Sequence, residues 1–280
     1  MARVVFRCLI LIFMIITSGS RVYAGELFRY DFNQDDTLHY NLVIESDLQF
    51  PELGNLAQLL NLETIKNNFD MAVELAVKSF HKDEGALFDA IFTSINSVTI
   101  LGDSAYVDRS SGWGKVRPGS KYEIFMTPRG EMELMSRSKI VAGKQVVDMM
   151  QRFMPIYPQQ AIEVNHNWSD TLGFDLELPN QPMQSISTVI SYSYAGKDDD
   201  SKLHRFGYQI YNVLDDSEMV KLNGNGQMQF DNSEGRLISN VGFITIDAEI
   251  SLAAFGLPEA LGTTSVHIDS QIKLEFIDDK

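Results

Sequence analysis

One stretch near the end of the chain decides the fold class: Val266-His267-Ile268-Asp269-Ser270-Gln271-Ile272-Lys273-Leu274-Glu275-Phe276. The even-numbered positions are apolar apart from Ser270, while the odd-numbered positions are polar or charged. Successive side chains of a β-strand point to opposite faces, so this period of two is typical of a strand with one buried and one solvated face. The stretch therefore predicts an amphipathic strand at the end of the protein.

The same alternation recurs on both sides of several polar turns. It predicts hairpins over residues 28–44, turning at Asn33–Asp36, over 122–135, turning at Pro128–Gly130, over 186–210, turning at Lys197–Ser201, and over 228–252, turning at Asp231–Gly235. Proline, glycine, aspartate and asparagine stand where such turns require them. Consecutive antiparallel hairpins allow one face of a sheet to meet water, so the C-terminal half is predicted to be a meander.

Two stretches carry apolar residues at helical spacing, Leu53–Lys66 and Ala142–Met154, and Pro155 ends the second. Residues 69–97 fit either a helix or a hairpin, and the turn at Lys82–Gly85 favours the hairpin. The predicted fold is mainly β, or β-rich α+β. We expect a large twisted antiparallel sheet, which could curl into a half-barrel, with a few short helices on one face.

Residues 1–24 are predicted to be a cleaved signal peptide. Arg3 and Arg7 precede a nine-residue apolar run, Cys8–Ile16, and small residues lead to a cleavage position after Ala24. A membrane span needs about 20 apolar residues, so the run is too short for an anchor. The remaining residues, 25–280, are predicted to form a single domain with possible sub-regions 25–157 and 158–280. The protein is expected to be exported, either periplasmic or secreted.

Charge and cysteine content restrict the partners. Loss of residues 1–24 removes three arginines and no acid, leaving 20 basic and 38 acidic side chains and a net charge near −18. Nucleic acid and anionic lipid surfaces are therefore unsuitable partners. Cys8 leaves with the signal peptide, so no disulfide, lipid anchor or transmembrane segment is expected in the mature chain.

Three segments together resemble a bacterial secreted β-rich family of uncharacterised function. They are Leu27–Phe32, then Tyr157–Ser169, and last Asn223–Asp231 followed by Ser233–Leu237. The middle segment has Asn165-His166-Asn167 where the family usually has a glycine-aspartate turn. The resemblance implies an extended antiparallel sheet and an envelope location, and no activity. A looser architectural similarity, carried by no residue motif, is to periplasmic lipoprotein carriers, whose half-barrels hold acyl chains.

Motifs for catalysis, metal and cofactors are missing from the sequence. The five histidines, at positions 39, 81, 166, 204 and 267, are not paired at ligand spacing. Acidic runs such as Asp198–Asp200 fall in predicted turns, where aspartate bonds the local backbone. The nucleophile elbow and the phosphate-binding loop are also missing. We therefore expect no catalytic residues, no metal and no cofactor.

Six aromatic residues are the candidate ligand-binding set, since they lie on neighbouring predicted strands: Tyr192, Tyr194, Phe206, Tyr208, Phe230 and Phe243. They could line a concave apolar surface, or they could form the core beneath the helices. Two functions follow. One is a non-enzymatic protein that binds an apolar or lipid-like ligand or an envelope component. The other is a structural or protein-interaction module with a filled core and no small ligand.

Overall fold

A computed structural model describes residues 25–59, 65–102, 104–108, 116–135, 140–176, 184–212, 220–255, 258 and 262–278. The predicted signal peptide lies outside these residues. The strands are β1 (Thr37–Gln49), β2 (Ile65–His81), β3 (Gly85–Leu101), β4 (Ser104–Asp108), β5 (Lys121–Met126), β6 (Met132–Leu134), β7 (Asn167–Leu176), β8 (Gln184–Lys197), β9 (His204–Asn212), β10 (Val220–Asp231), β11 (Arg236–Ser251) and β12 (Thr263–Ile277). The helices are α1 (Asn55–Leu59) and α2 (Ile140–Phe153), and Leu252–Phe255 form a 3₁₀ turn.

All twelve strands belong to one antiparallel sheet, as the alternation predicted. The order is β6-β5-β3-β2-β1-β12-β11-β10-β9-β8-β7, and β4 pairs with β3 beside this path. The first and last strands pair in the middle of the sheet, where Leu42 lies opposite Leu274. The sheet is therefore two meanders joined through β1 and β12. It is not closed, because β6 and β7 remain its edges.

Helix α2 contacts both edge strands, β6 and β7, so the sheet curls towards it. The Asn240 side-chain amide donates a 2.9 Å hydrogen bond to the carbonyl of Phe153, at the end of α2. Just beyond the helix, the Ile156 carbonyl accepts a 2.9 Å hydrogen bond from the Trp168 indole of β7. One buried and one partly buried polar side chain thus fasten the end of the helix segment to the inner side of the sheet.

Alternation divides the sheet into an inner and an outer face. On β2 the odd positions from Phe69 to Val77 are buried and the even positions between them are only partly buried. A large hydrophobic cluster covers most of the inner face. A second, smaller cluster lies towards the other end of the long strands and contains Phe50, Ala57, Ile65, Val220, Ala248, Ile250 and Val266. The hairpin alternative for residues 69–97 is confirmed, since β2 and β3 form it.

The prediction of a hairpin over residues 28–44 is wrong. Residues 26–32, called the N-terminal strap, lie outside the named strands, and only Glu26 makes an isolated bridge, to Ile162. Backbone amides of the strap donate to turns between strands: Tyr30 to the Pro128 carbonyl at 2.7 Å and Asp31 to the Gly235 carbonyl at 3.0 Å. The alternation is real, but it points side chains into the interior without strand pairing.

The strap passes directly over Gly235, whose φ of +59° is in the left-handed region. A Cβ atom at this position would lie 2.3 Å from the backbone nitrogen of Asp31, so glycine is required both for the turn and for the close approach. The predicted helix over Leu53–Lys66 is also partly wrong. Helix α1 covers Asn55–Leu59, residues 60–64 lie outside the described part of the chain, and Ile65 and Lys66 already belong to β2.

Candidate functional site

Five of the six predicted ligand-binding aromatics face the interior. Tyr192, Tyr194, Phe206, Tyr208 and Phe230 are all buried, on β8, β9 and β10. Phe243 lies on the opposite face of β11 and is 55% exposed. The five buried rings form part of a packed aromatic cluster. Their ligand-binding role stays a prediction, and Phe243 does not share their surface.

The strap fills the space in front of these aromatics. The Phe28 ring lies with its centroid 5.0 Å from those of Tyr194 and Phe206, in edge-to-face contact. It also contacts Phe230 at 6.1 Å and Tyr157 at 5.6 Å. These separations fall in the range that aromatic pairs prefer. The concave aromatic surface is therefore occupied by a side chain of the protein itself.

The other end of the strap reaches the opposite half of the sheet. Phe32 packs edge-to-face against Phe88 of β3, with centroids 4.9 Å apart. Tyr30 lies between Phe28 and Phe32 in the strap, and its ring centroid is 5.4 Å from that of Phe230 and 5.7 Å from that of Tyr157. Burial raises the pKa of both Tyr30 and Tyr157 well above its usual value, so both hydroxyls stay protonated. The strap therefore connects the two meanders through the interior.

His204 is the one histidine that lies in this cluster among the described residues. It is 2% exposed, its ring lies 4.9 Å from that of Phe28, and its Nδ1 lies 2.8 Å from the Tyr194 hydroxyl. Nε2 lies 3.3 Å from a carboxylate oxygen of Glu26. With the ring proton on Nε2, Nδ1 accepts from the tyrosine and both nitrogens are satisfied. Burial lowers the pKa of His204, and Glu26 opposes this.

A cleft of about 410 Å³ opens on the outer face of the central strands. Its side chains come from β1, β2, β11 and β12: Glu45, Asp47, Lys66, Asn68, Phe243, Thr245, Asp269 and Gln271. Asp47 and Asp269 face each other across β1 and β12. Lys66 forms a 3.4 Å ion pair with Asp47, and the Thr245 hydroxyl donates a 2.9 Å hydrogen bond to Asp269. The cleft is thus polar, with one exposed aromatic ring.

His267 lies beside this cleft on the outer face. Its Nδ1 is 2.6 Å from a carboxylate oxygen of Asp247, and its Nε2 is 3.4 Å from one of Asp269. The hydrogen bond to Asp247, aided by Asp269, raises the pKa of His267 above its ordinary value. When the ring is protonated, it neutralises part of the acidic charge there.

Within the described residues, no group of three or more histidine, cysteine, aspartate or glutamate side chains is placed to hold a metal ion. No helix among the described residues is long and apolar enough to cross a membrane. The fold and this geometry define a class of protein: an open, curled antiparallel sheet whose inner aromatic surface is filled by its own N-terminal strap.

Comparisons with known proteins add no name to this class. No family model matches the chain, and no curated protein matches it, so membership of the resembled secreted family stays a prediction. A solved structure of lipovitellin, studied for its lipid–protein interactions, has a TM-score of 0.49 at 10% identity. That match covers 89% of this chain and 26% of the lipovitellin chain, so this chain spans about a quarter of its length.

A second solved structure is an acetoacetate decarboxylase-like enzyme from Sphingomonas wittichii RW1. It is 7% identical, with a TM-score of 0.14, and the match covers 90% of this chain and 99% of that one. At these levels of similarity, neither structure assigns a function to this protein.

Proposed function

We propose that this protein is an exported, non-enzymatic binding module with a filled interior, which meets its partner on the outside of the sheet. One observation carries the proposal: the Phe28 ring occupies the concave aromatic surface where a small apolar ligand would bind, in contact with Tyr194, Phe206 and Phe230. Protein interiors are packed as closely as organic crystals, so a ligand could enter there only by displacing the strap.

The distribution of open surface supports the same proposal. The cleft of about 410 Å³ lies on the outer face and exposes Phe243 beside polar side chains. Small-molecule sites are usually concave and mostly apolar, whereas this cleft is lined mainly by carboxylates, amides and a hydroxyl. Such a surface suits a polar partner better than an acyl chain.

A second candidate is a non-enzymatic carrier of an apolar or lipid-like ligand, and one observation favours it. Four isoleucines on the inner face, between the two hydrophobic clusters, are only partly buried: Ile44, Ile244, Ile246 and Ile268. Among them the hydroxyls of Ser46 and Ser270 are hydrogen-bonded at 2.8 Å. An apolar strip beside a polar pair could receive an amphiphilic molecule.

Native mass spectrometry distinguishes the two candidates. Residues 25–280, purified from the natural host without detergent, should give a clean mass, and organic extraction should yield no lipid. A reproducible lipid-sized adduct, lost in Ile44→Gln on the inner face and kept in the matched Val43→Gln on the outer face, would overturn the proposal in favour of the carrier. The proposed export is tested by N-terminal sequencing, which should find residue 25 as the first residue of the protein in the exported fraction of the host. Finding only the uncleaved protein, with residues 1–24 still attached, in the cytoplasm would contradict export.

A further inference from the structure

The outer face of the second meander carries an uncharged patch. Its first row runs across five paired strands, from β7 to β11, and consists of Ser169, Ser191, Gln209, Asn225 and Phe243. Each of these residues occupies an outward-facing position of its strand, because the positions directly before and after it belong to the inner face. The row is built of hydroxyl and amide side chains and ends in an exposed aromatic ring.

The adjacent row repeats the pattern. In the same strand order it consists of Thr171, Val189, Tyr211, Asn223 and Thr245. We call these two rows the neutral face. Charged residues make up 22% of the chain, so at least two of ten outward positions would be expected to be charged. In the neutral face none is, although the whole chain has a net charge of −15.

Charge returns in both rows within two strands of β11. In the row of Thr245 the next positions on β12, β1 and β2 are Asp269, Asp47 and Lys66. In the row of Phe243 the next position, Gln271 on β12, is uncharged, and Glu45 follows on β1. The neutral face therefore has its boundary at β12 and β1, and the cleft of about 410 Å³ lies on it, with Phe243 among its lining residues. The protein separates a neutral and an acidic region on one continuous surface.

The three amide side chains and the two aromatic rings of the neutral face are available for binding. Gln209, Asn223 and Asn225 are exposed and make no side-chain hydrogen bond with another described residue. Each amide offers two donors and one acceptor. Phe243 is 55% and Tyr211 is 42% exposed. They lie two strands and one row apart, roughly 12 Å from the usual strand spacing and rise. One chain of a few sugar rings can therefore contact both side chains at once.

We propose that the neutral face, with the adjoining cleft, binds a neutral oligosaccharide. This ligand has many hydroxyl groups that require hydrogen bonds, which the amides supply, and apolar ring faces that stack on Phe243 and Tyr211. Complementarity of charge selects it: an anionic glycan or nucleic acid would be repelled by the acidic chain, and a cationic partner would prefer the acidic side of the boundary. The inference rests on the proposed function, because it names the partner of an outward-facing module.

The test is titration calorimetry of residues 25–280 with three probes: cellohexaose, maltohexaose and N-acetylchitohexaose. We expect saturable binding of at least one, weakened at least tenfold by Phe243→Ala and by Tyr211→Ala. Both side chains are exposed, so neither variant should alter folding. Lys273→Ala, on the outer face outside the two rows, is the matched control and should bind as the wild type does.

Binding of none of the three probes, or binding unchanged in Phe243→Ala, overturns the inference. A concentration-dependent dimer in sedimentation that Phe243→Ala abolishes also overturns it, because the face would then pair two copies of the chain. These failures differ from failure of the proposed function. That failure appears as a lipid adduct in the native mass spectrum, whereas a clean mass without sugar binding refutes only the ligand class.

Discussion

Replacing Phe28 by alanine tests whether the N-terminal strap is a structural part of the core. The ring is 2% exposed and contacts five other rings, those of Tyr157, Tyr194, His204, Phe206 and Phe230. Truncating a buried phenylalanine costs about 3–5 kcal/mol, because the transfer free energy is lost and a cavity remains. Since domains are stable by about 5–15 kcal/mol, this loss is a large share of the total.

The expected readout is a lower midpoint in thermal and urea unfolding. At about 2–4 °C per kcal/mol for a domain of this size, Phe28→Ala should lower the melting temperature by about 6–20 °C. Leu27→Ala is the matched control, because the neighbouring Leu27 is 49% exposed and its truncation should change the free energy of unfolding by about 0.5 kcal/mol or less.

A small effect of Phe28→Ala would refute the reasoning. If the free energy of unfolding fell by less than about 1 kcal/mol, the strap would be a loosely bound cover over the aromatic surface. If, in addition, the variant acquired a lipid-sized adduct in its native mass spectrum, the carrier hypothesis would replace the proposed function. The same variant thus reports on the fold and on the ligand.

Three further outcomes are expected. Gly242→Ala should lower the free energy of unfolding by about 1–3 kcal/mol in urea titrations, because its Cβ would lie 2.1 Å from the Tyr208 hydroxyl, and Tyr208→Phe should relieve part of this. His204 has a lowered pKa in the folded protein, so the unfolded chain binds this proton more readily. The contribution of neutral His204 to the free energy of unfolding should be complete above pH 6.5 and decrease as the pH falls below that value. His204→Phe should reduce this pH dependence. His267 has a raised pKa in the folded protein, so its small contribution to the free energy of unfolding should be present below pH 6.5 and be lost as the pH rises through the raised pKa. His267→Gln should remove this part of the dependence of stability on pH.

Alternation was sufficient to predict the sheet, because it reports directly which face of a strand is buried. It predicted β8 to β12, and the turn at Lys82–Gly85 favoured the hairpin β2–β3 where alternation alone also fitted a helix. It could not distinguish a paired strand from the strap. Phe28, Tyr30 and Phe32 alternate as a strand would, and the difference lies in their hydrogen bonds, which go to the turns at Pro128 and Gly235.

The site was predicted less well, for a different reason. Five of the aromatics were correctly placed on adjacent strands, but sequence does not show what fills the space before them, which depends on the long-range contact with Phe28. Tyr157, at the centre of the cluster, follows a helix and belongs to no periodic pattern. The outward position of Phe243 could have been predicted from the sequence, because Phe243 has an odd number in a strand whose apolar residues Ile244 and Ile246 have even numbers.

The contrast between the two faces indicates where function should be sought. Inner positions such as Phe206 and Phe230 are constrained by packing, so their apolar character follows from folding alone. Outer positions are free of that constraint, and the fold would accept a mixture of charges there. Two adjacent outer rows that stay uncharged from β7 to β11, and then meet Asp269 on β12 and Glu45 on β1, are not explained by packing. The composition of the neutral face therefore argues for a binding role.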